Sequence, residues 1–260
     1  MKKNILITFL LTSLSAFSQE NYEIQVYASP TMEKGSTMFE LHSNFTFNGE
    51  KDADHGVRPS YHALHETLEI THGFSKNFEI GFYLFSNYTS PYGYTVIGTH
   101  IRPRIRVPEK WNWPAGVSLS AEFGFQSHYY SADTRSLEIR PIIDKQFANF
   151  YLSFNPVIGI VLKGTNKDHT PSFSRAFKAS YTFKKLALGA EYYGDIGQLD
   201  QVPAAREQSH TLFIVADLFI NPDWEFNFGP GLGLTKTTDQ LVFKILAGRR
   251  INWKKQKKTN

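Results

Sequence analysis

The 260-residue sequence predicts an all-β fold, a transmembrane antiparallel up-and-down β-barrel of about twelve strands. Three observations predict it: a secretory leader, a period-two alternation of apolar and polar residues, and the lack of any later apolar run of about 18 residues, which a membrane-spanning helix would need. The composition agrees, since aromatic residues make up 15% of a chain whose mean hydropathy is only −0.33.

The first 18 residues have the three-part layout of a signal peptide. Lys2 and Lys3 form a basic start, residues 5–14 form an apolar core, and a cleavage point follows Ser18, before Gln19. The apolar core is too short to span a bilayer comfortably. The chain has no cysteine, which excludes a lipoprotein anchor, disulfide bonds and thiolate metal sites. We therefore expect the mature chain to be exported.

From Ser36 onward, alternating segments are separated by turn residues. In residues 115–127, Leu119 and Phe123 lie on one face, and Ser118 and Glu122 lie on the other. Such segments exceed the about five or six residues of an average soluble strand and suit a tilted transmembrane strand of about 9–11. Residues 19–35 are predicted to be a periplasmic N-terminal segment, 36–251 the barrel and 252–260 a basic tail. The predicted strands lie near 36–48, 60–74, 78–89, 94–107, 115–127, 135–146, 150–163, 173–184, 186–196, 209–221, 224–236 and 240–250.

The connections between these strands alternate in length. Short turns such as 148–149 and 184–185 contrast with long polar loops such as 49–59 and 197–208, and 108–114 and 237–239 are exceptions. Short periplasmic turns and long outer loops are typical of outer-membrane barrels. Amphipathic rings prefer the membrane interfaces, and they fall at the strand ends here. The periplasmic ends carry Trp111, Trp113, Trp224 and Trp253, and the outer ends carry Tyr61, Tyr88, Tyr92, Tyr94, Tyr129 and Tyr130.

The polar strand faces are predicted to line the lumen, because twelve long strands enclose more space than the apolar residues of this chain would fill. Arg102, Arg104 and Arg106 share one inward face of the fourth strand. Two interpretations stay open: a basic stripe that attracts anions, or a ladder of ion pairs that braces the wall, with Glu79 and Glu122 as the nearest partners. The candidate lumen residues are Arg102, Arg104, Arg106, Glu79, Glu122, Glu138, Arg140, Glu69, Glu191 and Lys178.

One residue, Glu66, breaks the pattern. The alternation of the second strand places this carboxylate on the lipid face, where it is costly. A bulge, a protonated or His62-paired carboxyl, or a misjudged register would explain it, and we prefer the last.

No catalytic, cofactor or metal motif is found in the sequence. His42-Ser43-Asn44 lacks the His-x-Ser-Asn-Gly arrangement of outer-membrane phospholipases. His62 and His65 are three residues apart, which places them on opposite faces of a strand. The net charge of +4 gives no reason to expect nucleic acid as a partner. We expect no enzyme, and a lipid-modifying enzyme is the weakest alternative.

The stretch IQVYASPTMEKGSTMFEL, residues 24–41, resembles the opening of a family of outer-membrane barrels named for the MetA pathway of phenol degradation. That family begins with I-x-x-Y-x-A/S-x-x-x-x-K-G-x-x-x-x-E-L. The region around Ser18 is similar to the cleavage sites of Bacteroidota secreted proteins. The resemblance implies a transporter of small compounds, hydrophobic or aromatic ones among them, and carries over no catalytic residue. The chain departs from the usual terminal aromatic residue, since seven residues follow Trp253.

The sequence therefore predicts a Gram-negative outer-membrane location and a passive channel for small solutes, gated by loops 49–59, 164–172 and 197–208. A closed structural or binding barrel with an ion-paired lumen is the alternative. The expected partners are outer-membrane lipid, a small-molecule solute and, during biogenesis, the barrel-assembly machinery. No cofactor is expected.

Overall fold

A computed structural model describes residues 22–53 and 56–253. The predicted signal peptide, 1–18, and most of the predicted basic tail, 254–260, lie outside the described residues. The described part contains two short 3₁₀ turns and no helix long and apolar enough to cross a membrane. Its strands are β1 Ser36–Asn48, β2 Leu64–Ser75, β3 Phe78–Thr89, β4 Gly93–Arg106, β5 Gly116–Gln126, β6 Asp133–Phe147, β7 Phe150–Gly164, β8 Ser172–Phe183, β9 Leu186–Gln198, β10 Ser209–Leu218, β11 Trp224–Gly233 and β12 Leu241–Asn252.

The twelve strands form one closed antiparallel barrel. Each strand pairs with its neighbours in sequence, and β1 pairs with β12, so that no strand edge is left open. The predicted fold class is confirmed. The largest difference in bounds is at β2, which begins at Leu64 rather than near residue 60. Residues 60–63 form a turn in which Ala63 N donates to Ser60 O at 3.1 Å, and His62 has a positive φ of 53°.

The outside of the barrel is apolar. Side chains such as Ile105, Phe150 and Ile214 are more than half exposed, although they are large hydrophobic residues on strands. The inward positions alternate with them and carry buried polar and charged residues, for example Glu40, His42 and Asn44 on β1. This is the reverse of a soluble barrel and matches a transmembrane barrel, whose apolar face contacts lipid.

Residues 22–32 lie inside the barrel, whereas the sequence predicts a periplasmic position for residues 19–35. The chain enters at the periplasmic end, where Gly35 N donates to Gly73 O at 2.8 Å, and Tyr22 reaches the level of Asn44 in the outer half of β1. Tyr22 and Tyr27 are only 8% and 4% exposed. We call residues 22–32 the luminal segment. The segment lies inside because side chains of the barrel wall form hydrogen bonds and packing contacts with it.

Candidate functional site

The middle of the luminal segment is held by β7. Asn155 Oδ1 accepts a hydrogen bond from Tyr27 N at 2.7 Å, and Asn155 Nδ2 donates to Tyr27 O at 3.1 Å. Ser153 Oγ donates to the same carbonyl at 2.7 Å. Both main-chain groups of Tyr27 are therefore satisfied by side chains of the barrel wall, as buried peptide groups require.

Other strands hold the remaining parts of the segment. Lys244 Nζ on β12 donates to Ile24 O at 3.0 Å, and Thr67 Oγ1 on β2 donates to Tyr22 O at 2.7 Å. Arg104 on β4 donates to the carbonyl oxygens of Ala28 and Pro30, each at 2.9 Å. These contacts come from opposite sides of the barrel, so the segment is suspended across the lumen rather than laid against one wall.

Two inward apolar patches receive the apolar side chains of the segment. Ile24 and Val26 pack against a patch that includes Phe213 and Val215 of β10. Tyr22 packs against a second patch that includes Phe85 of β3. Inward aromatic and aliphatic residues are unexpected in a water-filled lumen. They are not among the residues predicted from the sequence, although their inward register is a signal that could have revealed a buried segment.

The arginine stripe is bonded within the lumen. Arg102 Nη2 lies 2.6 Å from Glu69 Oε1 and 3.9 Å from Glu79, and Arg104 Nη2 lies 2.6 Å from Glu79 Oε1. The Arg102 guanidinium also lies 4.3 Å from the Tyr27 ring centroid. The two arginines therefore join the wall to the luminal segment and do not line an open path.

The third arginine of the predicted stripe, Arg106, and the other predicted partner, Glu122, lie outside this group. Arg106 pairs at 2.9 Å with Glu109, whose side chain is 80% exposed at the periplasmic rim. Glu122, expected as an arginine partner, lies 2.5 Å from His100. Glu122 therefore does not belong to the arginine ladder.

A second charged group joins β8, β9, β10 and β12. Lys178 Nζ lies 3.1 Å from Glu191 and 2.7 Å from Asp217, and Lys244 also binds Glu191. The Tyr193 hydroxyl donates to Glu191 at 2.7 Å. Because Glu191 and Lys244 are almost fully buried, removal of either partner would leave an uncompensated charge.

A cavity of about 210 Å³ lies above the luminal segment on the β5–β9 side. We call it the outer vestibule. Its floor includes Tyr22, Glu23 and Arg140, and it extends to Thr170 and Gln198 near the outer loops. Arg140 is bonded in this floor, since it lies 2.9 Å from Glu138 and 3.4 Å from Glu23.

The outer vestibule carries an excess of acidic groups. Two arginines and one histidine line it against five carboxylates, which are those of Glu23, Glu122, Asp133, Glu138 and Asp195. A cleft lined by one sign of charge raises the local concentration of the opposite ion. The charge that lines the vestibule is therefore opposite in sign to that of the anion-attracting stripe considered from the sequence.

Glu66 does face outward. The register of β2 against β1 is continuous from Phe45–Leu64 to Thr37–His72, so the preferred explanation of a misjudged register is wrong. Ser43 Oγ, directly across on β1, donates to Glu66 Oε1 at 3.3 Å. The outward carboxylate of Glu66, near the outer end of the strand, thus accepts one weak hydrogen bond.

The barrel is similar to solved porins. It matches the KdgM porin with a TM-score of 0.50 and 12% identity, over 82% of this chain and 98% of that chain. It matches the NanC porin with a TM-score of 0.53 and 8% identity, over 82% of this chain and 100% of that chain. No family model and no curated protein match the sequence. At such low identity the likeness shows the fold, which is that of an outer-membrane porin-type β-barrel.

Proposed function

We propose that this protein is an outer-membrane channel for small solutes that its own luminal segment closes. The observation that carries the proposal is the double hydrogen bond between Asn155 and Tyr27 in the middle of the lumen. The segment is held there by hydrogen bonds, ion pairs and packing. Such contacts can open and re-form, which makes the segment a gate and not a permanent wall.

The outer vestibule supports a solute path that stops at the luminal segment. Phe85 and Val157 give it apolar surface, and carboxylates such as Glu138 give it charge. Sites that bind small molecules combine apolar walls with a few placed polar groups. We propose small solutes with an apolar or aromatic part and no net negative charge. The resemblance of residues 24–41 to the phenol-degradation barrels supports the aromatic part of this proposal.

A closed binding barrel is the second candidate function. It is favoured by the lumen charges, since Glu69, Glu79 and Glu191 are each paired with a basic residue and are buried. In that case the outer vestibule would bind a solute without passing it on. The two functions differ in whether the luminal segment leaves the lumen.

A reversible disulfide distinguishes the two functions. The chain has no cysteine, and an ideal Cβ placed on Gly116 would lie 3.3 Å from Ser29 Cβ, close to the about 3.5–4.5 Å of a disulfide. The same Cβ would overlap the Asp144 carboxylate, which has to rotate to admit it. The full chain carrying Ser29→Cys and Gly116→Cys is inserted into planar bilayers. Conductance is measured before and after reduction, and the Ser29→Cys single variant is the control.

The gated channel predicts silence when the disulfide is formed and solute-dependent conductance after its reduction. Equal conductance in both states would show that the luminal segment does not close the lumen. The closed binding barrel would be established instead if neither state conducts, the unmodified chain does not conduct, and a solute binds in the vestibule.

A further inference from the structure

Three ligand-bearing side chains meet inside the barrel at the β1–β2 seam. They are Glu40, His42 and Glu69, each buried, and one potential ligand atom from each lies within 4.8 Å of the other two. Glu40 and Glu69 are directly paired across the two strands, and His42 is the next inward residue on β1. The strand register alone therefore brings two carboxylates and one imidazole together.

Two of these atoms face each other without a hydrogen bond. His42 Nε2 and Glu69 Oε2 lie 3.5 Å apart, and among the described residues neither atom has a hydrogen-bond partner. Both side chains are only 1% exposed. The two atoms form an ion pair when the imidazole is protonated, but 3.5 Å is too long for a strong hydrogen bond, so both can bind a ligand placed between them.

The charges around the cluster favour a cation. Glu225 on β11 pairs with Gly248 on β12, which in turn pairs with Glu40, so Glu225, Glu40 and Glu69 form one inward row. The Arg102 guanidinium contacts Glu69 Oε1, so Oε2 faces His42 alone. Gly248 has no side chain, and a Cβ placed on it would lie 2.8 Å from Glu40 Cγ and 3.4 Å from Glu225 Cβ. Glu225 is exposed, which connects the row to solvent.

We propose that Glu40, His42 and Glu69 bind a divalent transition-metal ion of the zinc type. Zinc takes imidazole nitrogen and carboxylate oxygen as ligands at about 2 Å, so the proposal requires the glutamate side chains to rotate towards the ion. Calcium and magnesium prefer oxygen-only sites, so the imidazole selects against them. The site shares Glu69 with Arg102, and it does not depend on whether the barrel conducts.

Metal binding to the full chain tests this proposal. The protein in detergent micelles is stripped with EDTA, and Zn²⁺ is titrated by calorimetry, with the bound metal counted by mass spectrometry. We expect one Zn²⁺ per chain and no displacement by excess Ca²⁺. Co²⁺ in place of Zn²⁺ should give visible ligand-field bands of a low-coordinate nitrogen–oxygen site.

Two variants and one control assign the ligands. His42→Ala and Glu40→Gln should each weaken binding by at least the roughly 10–100-fold that loss of even an outer-shell partner costs. His65→Ala removes another buried histidine, on β2 and outside the cluster, and should leave the affinity unchanged. Folding of each variant is checked by heat-modifiable migration on gels.

The absence of stoichiometric Zn²⁺ in the folded wild-type chain would overturn the proposal. So would an affinity that His42→Ala leaves unchanged, or Ca²⁺ binding as strong as Zn²⁺ binding. If His42→Ala fails to fold, Glu40→Gln and the Co²⁺ bands of the wild-type chain decide: bands that Glu40→Gln removes support the site, and bands that it leaves intact reject it.

Discussion

Asn155 binds both main-chain groups of Tyr27, with Oδ1 accepting from the N–H at 2.7 Å and Nδ2 donating to the carbonyl at 3.1 Å. One amide side chain of β7 thus gives the luminal segment the pair of hydrogen bonds that a neighbouring strand would give. The segment is bonded in the lumen without becoming a strand of the barrel. This arrangement makes Asn155 the most direct place to weaken the proposed gate.

Asn155→Ala should raise the open probability of the channel. Each lost hydrogen bond is worth about 1 kcal/mol, so two bonds shift the closed–open equilibrium by roughly tenfold to a hundredfold. Single-channel recording in planar bilayers measures this shift. Asn227→Ala is the matched control, because the Asn227 amide binds Glu191 and Asp217 and not the segment. An equal effect of the two variants would contradict the gating role of Asn155.

Glu191→Gln should destabilise the barrel strongly. The change leaves Lys178 and Lys244 without their shared carboxylate, and breaking a buried ion pair costs about 3–5 kcal/mol. Urea unfolding in micelles measures the free energy of unfolding. Glu109→Gln, which removes an exposed partner of Arg106, should cost less than about 1 kcal/mol. Similar losses in both variants would show that Glu191 is hydrated and not buried.

Glu66 and Glu69 should respond to substitution with opposite signs. Glu66→Leu places an apolar side chain against lipid and should stabilise the barrel by about 1 kcal/mol, since Glu66 lies near the outer end of β2. Glu69→Gln removes the partner of Arg102 and should destabilise by about 3 kcal/mol. Unfolding in lipid vesicles measures both. If the two changes had the same sign, the assignment of the faces would be wrong.

Cation preference should depend on the outer vestibule. In the reduced Ser29→Cys, Gly116→Cys channel, adding Glu138→Gln and Asp195→Asn should move the reversal potential toward anions, because both carboxylates line the vestibule. Adding Arg106→Gln instead should change it little, since Arg106 is paired at the periplasmic rim. If Arg106→Gln alone shifted the reversal potential, the arginine stripe and not the vestibule would set the ion selectivity.

The strands were predictable because each carries its own alternation. The predictions of 36–48 and 78–89 coincide with β1 and β3, and that of 150–163 differs from β7 by one residue. At β2 the alternation begins in a turn, where the positive φ of His62, which the pattern does not reveal, precedes the start of the strand at Leu64. Period-two patterning fixes the face of a residue better than it fixes the end of a strand.

The pairing of the lumen charges was less predictable. The sequence predicts partners of the arginines on adjacent strands, which holds for Arg104 and Glu79. Arg102 instead reaches Glu69, two strands away, because its neighbour on β3 is Gly81, which has no side chain in the way. A long side chain inside a curved wall can pass over a glycine to the next strand.

By itself the sequence determined the closed barrel, the inward charges and the outward apolar face, because these follow from local alternation repeated along the chain. Only the tertiary structure decided where residues 22–32 lie and what Glu40, His42 and Glu69 form together. The first depends on contacts between residues far apart in sequence, such as Tyr27 with Asn155, which exist only after β1 and β12 have closed the wall. The second depends on the register in which β1 pairs with β2. Closure of the barrel forms the interior, and the side chains that line this interior then bind the chain segment that fills it.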